Sequence, residues 1–92
     1  MDSIQADKFA EENGYAVYCH TSKMRTYTKL LDPKIWLYLD CFYRDDEFIG
    51  CLHMYIRMMD ISISNFSLPN KNFKIFEEQM ARLAEAYRRM QS

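Results

Sequence analysis

Hydrophobic positions along this chain recur in two different rhythms, and the change from one to the other marks its elements. From Pro69 and Asn70 onward, Phe73, Phe76, Met80, Leu83, Tyr87 and Met90 recur at steps of three and four, which predicts an amphipathic helix. Glu78 with Arg82 and Glu85 with Arg89 are (i, i+4) pairs in the favourable order, each worth ~0.3 kcal/mol. The same stripe fits a heptad seam, but it spans fewer than three heptads, so packing on a sheet is expected instead of a coiled coil. A second, shorter helix is expected at the start. Asp2 or Ser3 can cap it, Gln5 stands three residues after Asp2, and Asn13-Gly14 supplies a left-handed stop. Its apolar face (Ile4, Phe9, Ala10) is thin, so it is expected to lie across an edge of the fold.

Between these helices the period drops to two. A hairpin over Ile35 to Arg57 that turns at Asp45-Asp46 pairs residues whose numbers sum to 91. One face then holds Ile35, Leu37, Leu39, Cys41 and Tyr43 opposite Ile56, Met54, Leu52, Gly50 and Phe48, all apolar or small, as a core face requires. A one-residue slip would set Ile35 against Arg57 and Leu39 against His53. Ile61 and Ile63 predict a further strand after a turn near Met58 to Asp60, although Met-Met is poor turn chemistry. Upstream, Tyr15 to His20 and Lys23 to Leu31 form a second hairpin around Thr21-Ser22. A helical reading competes over Phe48 to Met59, with Asp32-Pro33 able to open a helix, but the β-rich stretch Ile35 to Tyr43 favours strands. The expected fold is α+β: an antiparallel β-sheet of four or five strands with an N-terminal and a C-terminal helix, in one domain over residues 1–92.

Composition narrows the functional classes. The 92 residues carry 12 Lys+Arg and 13 Asp+Glu, are 49% hydrophobic and include 15% aromatic residues and seven methionines. A domain this small cannot bury so much apolar surface, so part of it is expected to meet a partner. The longest apolar run, Ile35 to Leu39, is too short to span a membrane, and no secretory signal is read at the start. Two glycines, Gly14 and Gly50, exclude a glycine-rich phosphate loop. Cys19, Cys41 and Cys51 form no CxxC pair, and reduced thiols in a cytoplasmic setting are expected.

Two surfaces are expected to carry function. Asn13 to Leu31 contains Lys23, Arg25, Lys29 and His20 and no acidic residue. On a strand, Lys23, Arg25, Tyr27 and Lys29 would share one face, joined by Tyr18 and His20 from the preceding strand. Cations interleaved with rings suit a nucleic-acid backbone and unpaired bases, although a solvated edge strand uses lysines in the same way. The other face of the central hairpin holds Trp36, Tyr38, Asp40 and Phe42 beside Ile49, Cys51, His53 and Tyr55. Trp36 would face Tyr55 and Tyr38 would face His53, a composition that resembles a protein-interface hot spot. Partial exposure of this face is expected, with a symmetric partner or the first helix as the alternative cover. Asp40 to Glu47 adds four acids against Arg44, placing Asp45 and Asp46 at an acidic tip suited to a basic partner.

Catalysis and metal binding have weaker signals. Cys51 and His53 would share a strand face as a thiol–imidazole pair, but no oxyanion-hole turn accompanies them. A zinc site from Cys19, Cys51 and His53 lacks the paired spacing of structural zinc modules. Neither an enzyme nor a cofactor is expected.

A compact, motif-free chain with a basic strand, an acidic tip and an aromatic sheet face is similar to the small anti-CRISPR inhibitors made by bacteriophages. The resemblance covers the chain as a whole and rests on no residue string. It implies a non-enzymatic inhibitor in the host cytoplasm that blocks an RNA-guided nucleic-acid-targeting complex, without membrane or small-molecule substrate. Lys23, Arg25 and Lys29 would then contact guide RNA or the nucleic-acid path, and Trp36, Tyr38 and Tyr55 would grip a protein subunit. A small RNA- or single-strand-binding regulator is the alternative, loosely reminiscent of double-stranded-RNA-binding modules with only Lys71 and Lys74 at the helix start. A dimerising adaptor is a third reading.

Overall fold

A computed structural model describes residues 3–21, 23–32, 34–56 and 58–90. Helix α1 (Ser3–Glu12) leads into strands β1 (Ala16–His20), β2 (Met24–Asp32), β3 (Ile35–Arg44), β4 (Glu47–Ile56) and β5 (Met59–Ser67), and helix α2 (Phe73–Arg89) follows. The five strands form one antiparallel meander in sequence order, leaving β1 and β5 as the edges. This is the α+β architecture expected from the two hydrophobic rhythms.

The central hairpin takes the register set by its apolar face. Leu37 pairs with Met54, Leu39 with Leu52, Cys41 with Gly50 and Tyr43 with Phe48. Asp45 and Asp46 both adopt positive φ, 51° and 65°, the backbone that lets a two-residue turn match the twist of its strands. The helical alternative for Phe48 to Met59 is thereby excluded, because β4 fills most of that span. The next turn is tighter than the sequence suggests. Ile56 pairs with Met59, so Met59 and Asp60 already belong to β5 and the bend comes before them, with the fully exposed Met58 at φ 67°.

Both helices cover the same face of the sheet. Ala6 and Ala10 of α1 are buried, and the rings of Phe9 and Phe73 meet edge-to-face at 5.1 Å, joining the two helices over the core. Below them lie Tyr27, Leu37, Leu39, Leu52 and Met54, each essentially sealed from water and each worth roughly 1.5–3 kcal/mol of burial. Gly14, at φ 87°, ends α1. Its N–H donates to the Glu11 carbonyl and the Tyr15 N–H to the Ala10 carbonyl, and this paired closure drives Tyr15 into the core. The proposed cap at Asp2 and the turn residue Ser22 lie outside the described residues.

The buried line of α2 is rotated slightly from the expected stripe. Phe73, Glu77, Met80 and Ala84 are the buried positions, while Leu83 and Met90 are exposed. A carboxylate thus occupies the core line, and its partners include Tyr15, just before β1, and Lys29 of β2, as described below. The expected pair of Glu85 and Arg89 forms at 2.8 Å.

Candidate binding face

Most of the basic stripe is turned towards the helices, with Arg25 and Lys29 only partly exposed. Alternation along β2 places Arg25, Tyr27 and Lys29 on one side, as expected, but that side lies beneath the helices. Arg25 donates from Nε and Nη2 to the Asp7 carboxylate of α1, with Nη2 2.9 Å from Oδ2. Tyr27, 1% exposed, donates its hydroxyl to the same carboxylate. Burial works to raise the Asp7 pKa, but hydrogen bonds from Tyr27 and Arg25 outweigh it and hold the carboxyl below its ordinary value. Lys29 Nζ lies 2.7 Å from Glu77 Oε2 and 2.9 Å from the Asn13 carbonyl, and Tyr15 donates to the same Glu77 oxygen at 2.8 Å. The reason is chemical: α1 and α2 each bring one carboxylate down onto the sheet, and the two β2 cations neutralise them. Lys23 stands apart, exposed in the turn before β2.

Tyr18 and His20, expected beside that stripe, are separated by a bulge. Val17 pairs with Tyr27 but Cys19 pairs with Thr26, so Tyr18 is the extra residue in the ladder. His20 remains on the helix side, its ring 5.3 Å from Tyr27 and its Nε2 3.4 Å from Asp7. Tyr18 turns to the opposite face and meets Tyr38 edge-to-face at 5.7 Å. Period-two counting alone puts these two residues together; the inserted residue breaks the count.

The opposite face carries no helix. Tyr38 is its hub, stacking on His53 at 5.4 Å and 22° and meeting Tyr55 edge-to-face at 6.0 Å. Tyr38 and His53 are cross-strand partners, and Trp36 and Tyr55 lie one step past the last paired rung, Leu37 with Met54. Tyr18 is 64% exposed, Tyr55 55% and Trp36 46%, so the aromatic face is open. Asp45 and Asp46 do not join it. They sit at the far end of the hairpin, with about 26 Å of strand between Trp36 and Arg44.

A polar network runs through the middle of the open face. Asp40 accepts from Thr26 Oγ1 at 2.8 Å through one oxygen and from His53 Nε2 at 2.8 Å through the other. His53 Nδ1 lies 3.4 Å from Asp60 of β5. Because a carboxylate can only accept, Nε2 of His53 carries a proton. The hydrogen bond to Asp40 is the main force raising the His53 pKa above its ordinary value, against the opposing effect of burial. Asp40 is itself held below the usual range: burial pushes it upward, but His53 and Thr26 together prevail. The Tyr55 hydroxyl is shifted up by the nearby charge of Asp60. Sequence patterning found His53 and Asp40 as neighbours on this face but not Thr26 or Asp60 as members of the network, which depend on the flanking strands.

Electrostatically, the open face leans negative. Its register holds Asp40, Asp60 and Glu47, with His53 between the first two and Arg44 opposite the third at the hairpin end. Lys34 lies in the turn leading into β3. Cys51 Sγ approaches Ser64 Oγ at 3.4 Å, while His53 is directed at Asp40, so thiol and imidazole share a face yet engage different partners. Cys41 lies in the core, where burial pushes its thiol up to about 12. Among the described residues no group of three His, Cys, Asp or Glu side chains is placed to hold a metal ion, and no helix is long and apolar enough to cross a membrane. No protein-family model matches the chain, and comparison with curated proteins and with solved structures returned no significant match.

Proposed function

We propose that this protein is a non-enzymatic binding protein that engages a partner protein through the open face of its sheet. One observation supports this reading most strongly: both helices pack on one side, and Tyr18, Trp36 and Tyr55 stay about half exposed on the other. Large amphipathic rings around a desolvated polar centre are the composition of interface hot spots. Asp40 accepts from both Thr26 and His53, while the buried Nδ1 of His53 has no hydrogen-bond partner and approaches only Asp60, so the centre of such an interface is largely but not wholly paired.

The target class that the anti-CRISPR resemblance implies, a protein subunit of an RNA-guided surveillance complex, extends the proposal. Of the two contacts that resemblance implies, protein contact through the open face is favoured over a nucleic-acid contact through β2. Arg25 and Lys29 are already neutralised by Asp7 and Glu77, which leaves little charge to offer phosphates.

Affinity capture from a CRISPR-bearing bacterial lysate tests this, with Trp36→Ala and Tyr55→Ala on the open face and Ile75→Ala on the exposed side of α2 as control. Specific recovery of a surveillance-complex subunit, reduced by the first two variants and not by the third, is expected. Recovery of RNA alone, or of nothing but a second copy of the chain, would overturn the proposal.

A further inference from the structure

A cleft of about 210 Å³ opens at one corner of the open face, lined by Tyr18, Thr28, Trp36 and Tyr38. We infer that it receives the guanidinium of an arginine side chain from the partner protein. This deepens the reading of the open face as a protein-binding surface and rests on it.

Three of the four lining residues are aromatic, and the planes of Tyr18 and Tyr38 stand at 74° to each other. Ring faces carry the negative lobe of the aromatic quadrupole, so a cleft walled by rings in different orientations attracts a cation from more than one side. The charges nearby agree. Asp40 and Asp60 lie on the same face on either side of His53, which pairs with Asp40, so the carboxylates outnumber that imidazole there, and Arg44 is at the far tip of the hairpin. The fourth lining residue narrows the ligand further. Thr28 carries a hydroxyl that can accept from an N–H, which a guanidinium offers and a quaternary ammonium does not. A planar guanidinium can also lie flat on an indole while its N–H groups reach sideways, and a compact ammonium lacks that shape.

The bulge in β1 falls at Tyr18, between the rungs Val17 with Tyr27 and Cys19 with Thr26, and the Tyr18 ring meets Tyr38 on the open face as one wall of the cleft.

Trp36 is the sole tryptophan, so its indole N–H gives one resolved signal in a ¹⁵N-labelled sample of the full chain. The probes are three acetylated, amidated pentapeptides, Gly-Ser-X-Ser-Gly, in which X is arginine, citrulline or trimethyllysine. Citrulline keeps the shape of arginine and removes its charge. Saturable shifts of the Trp36 indole and of the Thr28 amide are expected with the arginine peptide. Tyr18→Leu and Tyr38→Leu should each weaken binding about two- to five-fold. Citrulline binding as tightly as arginine would overturn a cation site, and trimethyllysine binding as tightly would overturn the guanidinium assignment. No response to any peptide, in samples whose amide spectrum shows the native fold, would also overturn it. Tyr18→Leu is a safe variant because that side chain stands mostly outside the core. The outcome is separable from the fate of the broader proposal: capture that depends on Trp36 and Tyr55 while the peptides fail removes only the cleft, and capture indifferent to the open face removes the surface reading whatever the peptides do.

Discussion

Lys29, in the middle of β2, meets Glu77, in the buried line of α2, at 2.7 Å. The contact ties the last helix to the second strand, and Tyr15 adds a hydrogen bond from the residue that closes α1. A lysine that fronted solvent could be reversed in charge with an effect within about 0.5 kcal/mol. Here Lys29→Glu would bring two carboxylates together in a site with little water, so a loss of about 1–3 kcal/mol is expected in urea unfolding. Exchanging both charges, Lys29→Glu with Glu77→Lys, should recover part of that loss. An unperturbed Lys29→Glu protein would show that the pair contributes nothing to the fold.

Arg25 does for α1 what Lys29 does for α2. Its guanidinium holds both oxygens of Asp7, and Tyr27 supports the same carboxylate from below. Both partners remain partly open to water, which screens the pair and limits its worth to about 1 kcal/mol. Arg25→Ala should therefore loosen α1 selectively. Hydrogen exchange of amides in α1 is expected to quicken about five-fold, while amides of β3 and β4 keep their protection. Uniform acceleration across the sheet would mean that α1 and the core open as one unit.

These two pairs also explain what patterning could and could not read. The hairpin register was legible because apolar residues alternate over ten consecutive positions on each strand, and a slip of one would bury His53 and Arg57. The C-terminal helix was legible for the same reason, down to the pair of Glu85 and Arg89. The surroundings of β2 were not legible because a strand of alternating cations looks alike whether it fronts solvent or a helix that carries carboxylates. Spacing separates Glu77, four residues after Phe73 and three before Met80, from the exposed Glu78 beside it, but the local sequence does not show which cation would meet a carboxylate on that line. The bulge at Tyr18 was equally invisible, since an inserted residue leaves no mark on composition.

Gly50 marks a close approach between strand and aromatic ring. It pairs with Cys41 on one side and Phe66 on the other, and a Cβ built there would come within 2.6 Å of Phe66 Cε1 and 3.1 Å of Leu68 Cδ1. The ring of Phe66 in turn packs against Phe73 and Phe76, so it has little room to retreat. Gly50→Ala is expected to cost about 1–3 kcal/mol as an overpacked core. Replacing Phe66 with Leu in the same chain should recover part of that cost, which a double-mutant cycle in urea would measure. Additive effects would place the strain elsewhere than in this contact.

The network of His53 predicts a pH dependence whose sign is fixed by geometry. The hydrogen bond to Asp40 raises the His53 pKa above 6.5, with Asp60 adding to it, so the folded protein holds the imidazolium more firmly than the unfolded chain does. That contribution is complete below pH 6.5 and is lost as pH rises through the folded value. Asp40 works at the other end: its pKa is held below 3.8, so its contribution is present above that pH and is lost as pH falls through the folded value. Between these limits both partners are charged and the network is at full strength. Thermal unfolding of the wild-type protein should therefore shift to lower temperature as pH rises above 6.5, and His53→Gln should remove that part of the slope while leaving the acid limb. The comparison cancels the titration of groups that both proteins share. Parallel profiles for the two proteins above pH 6.5 would mean that the His53–Asp40 contact does not favour the charged imidazole.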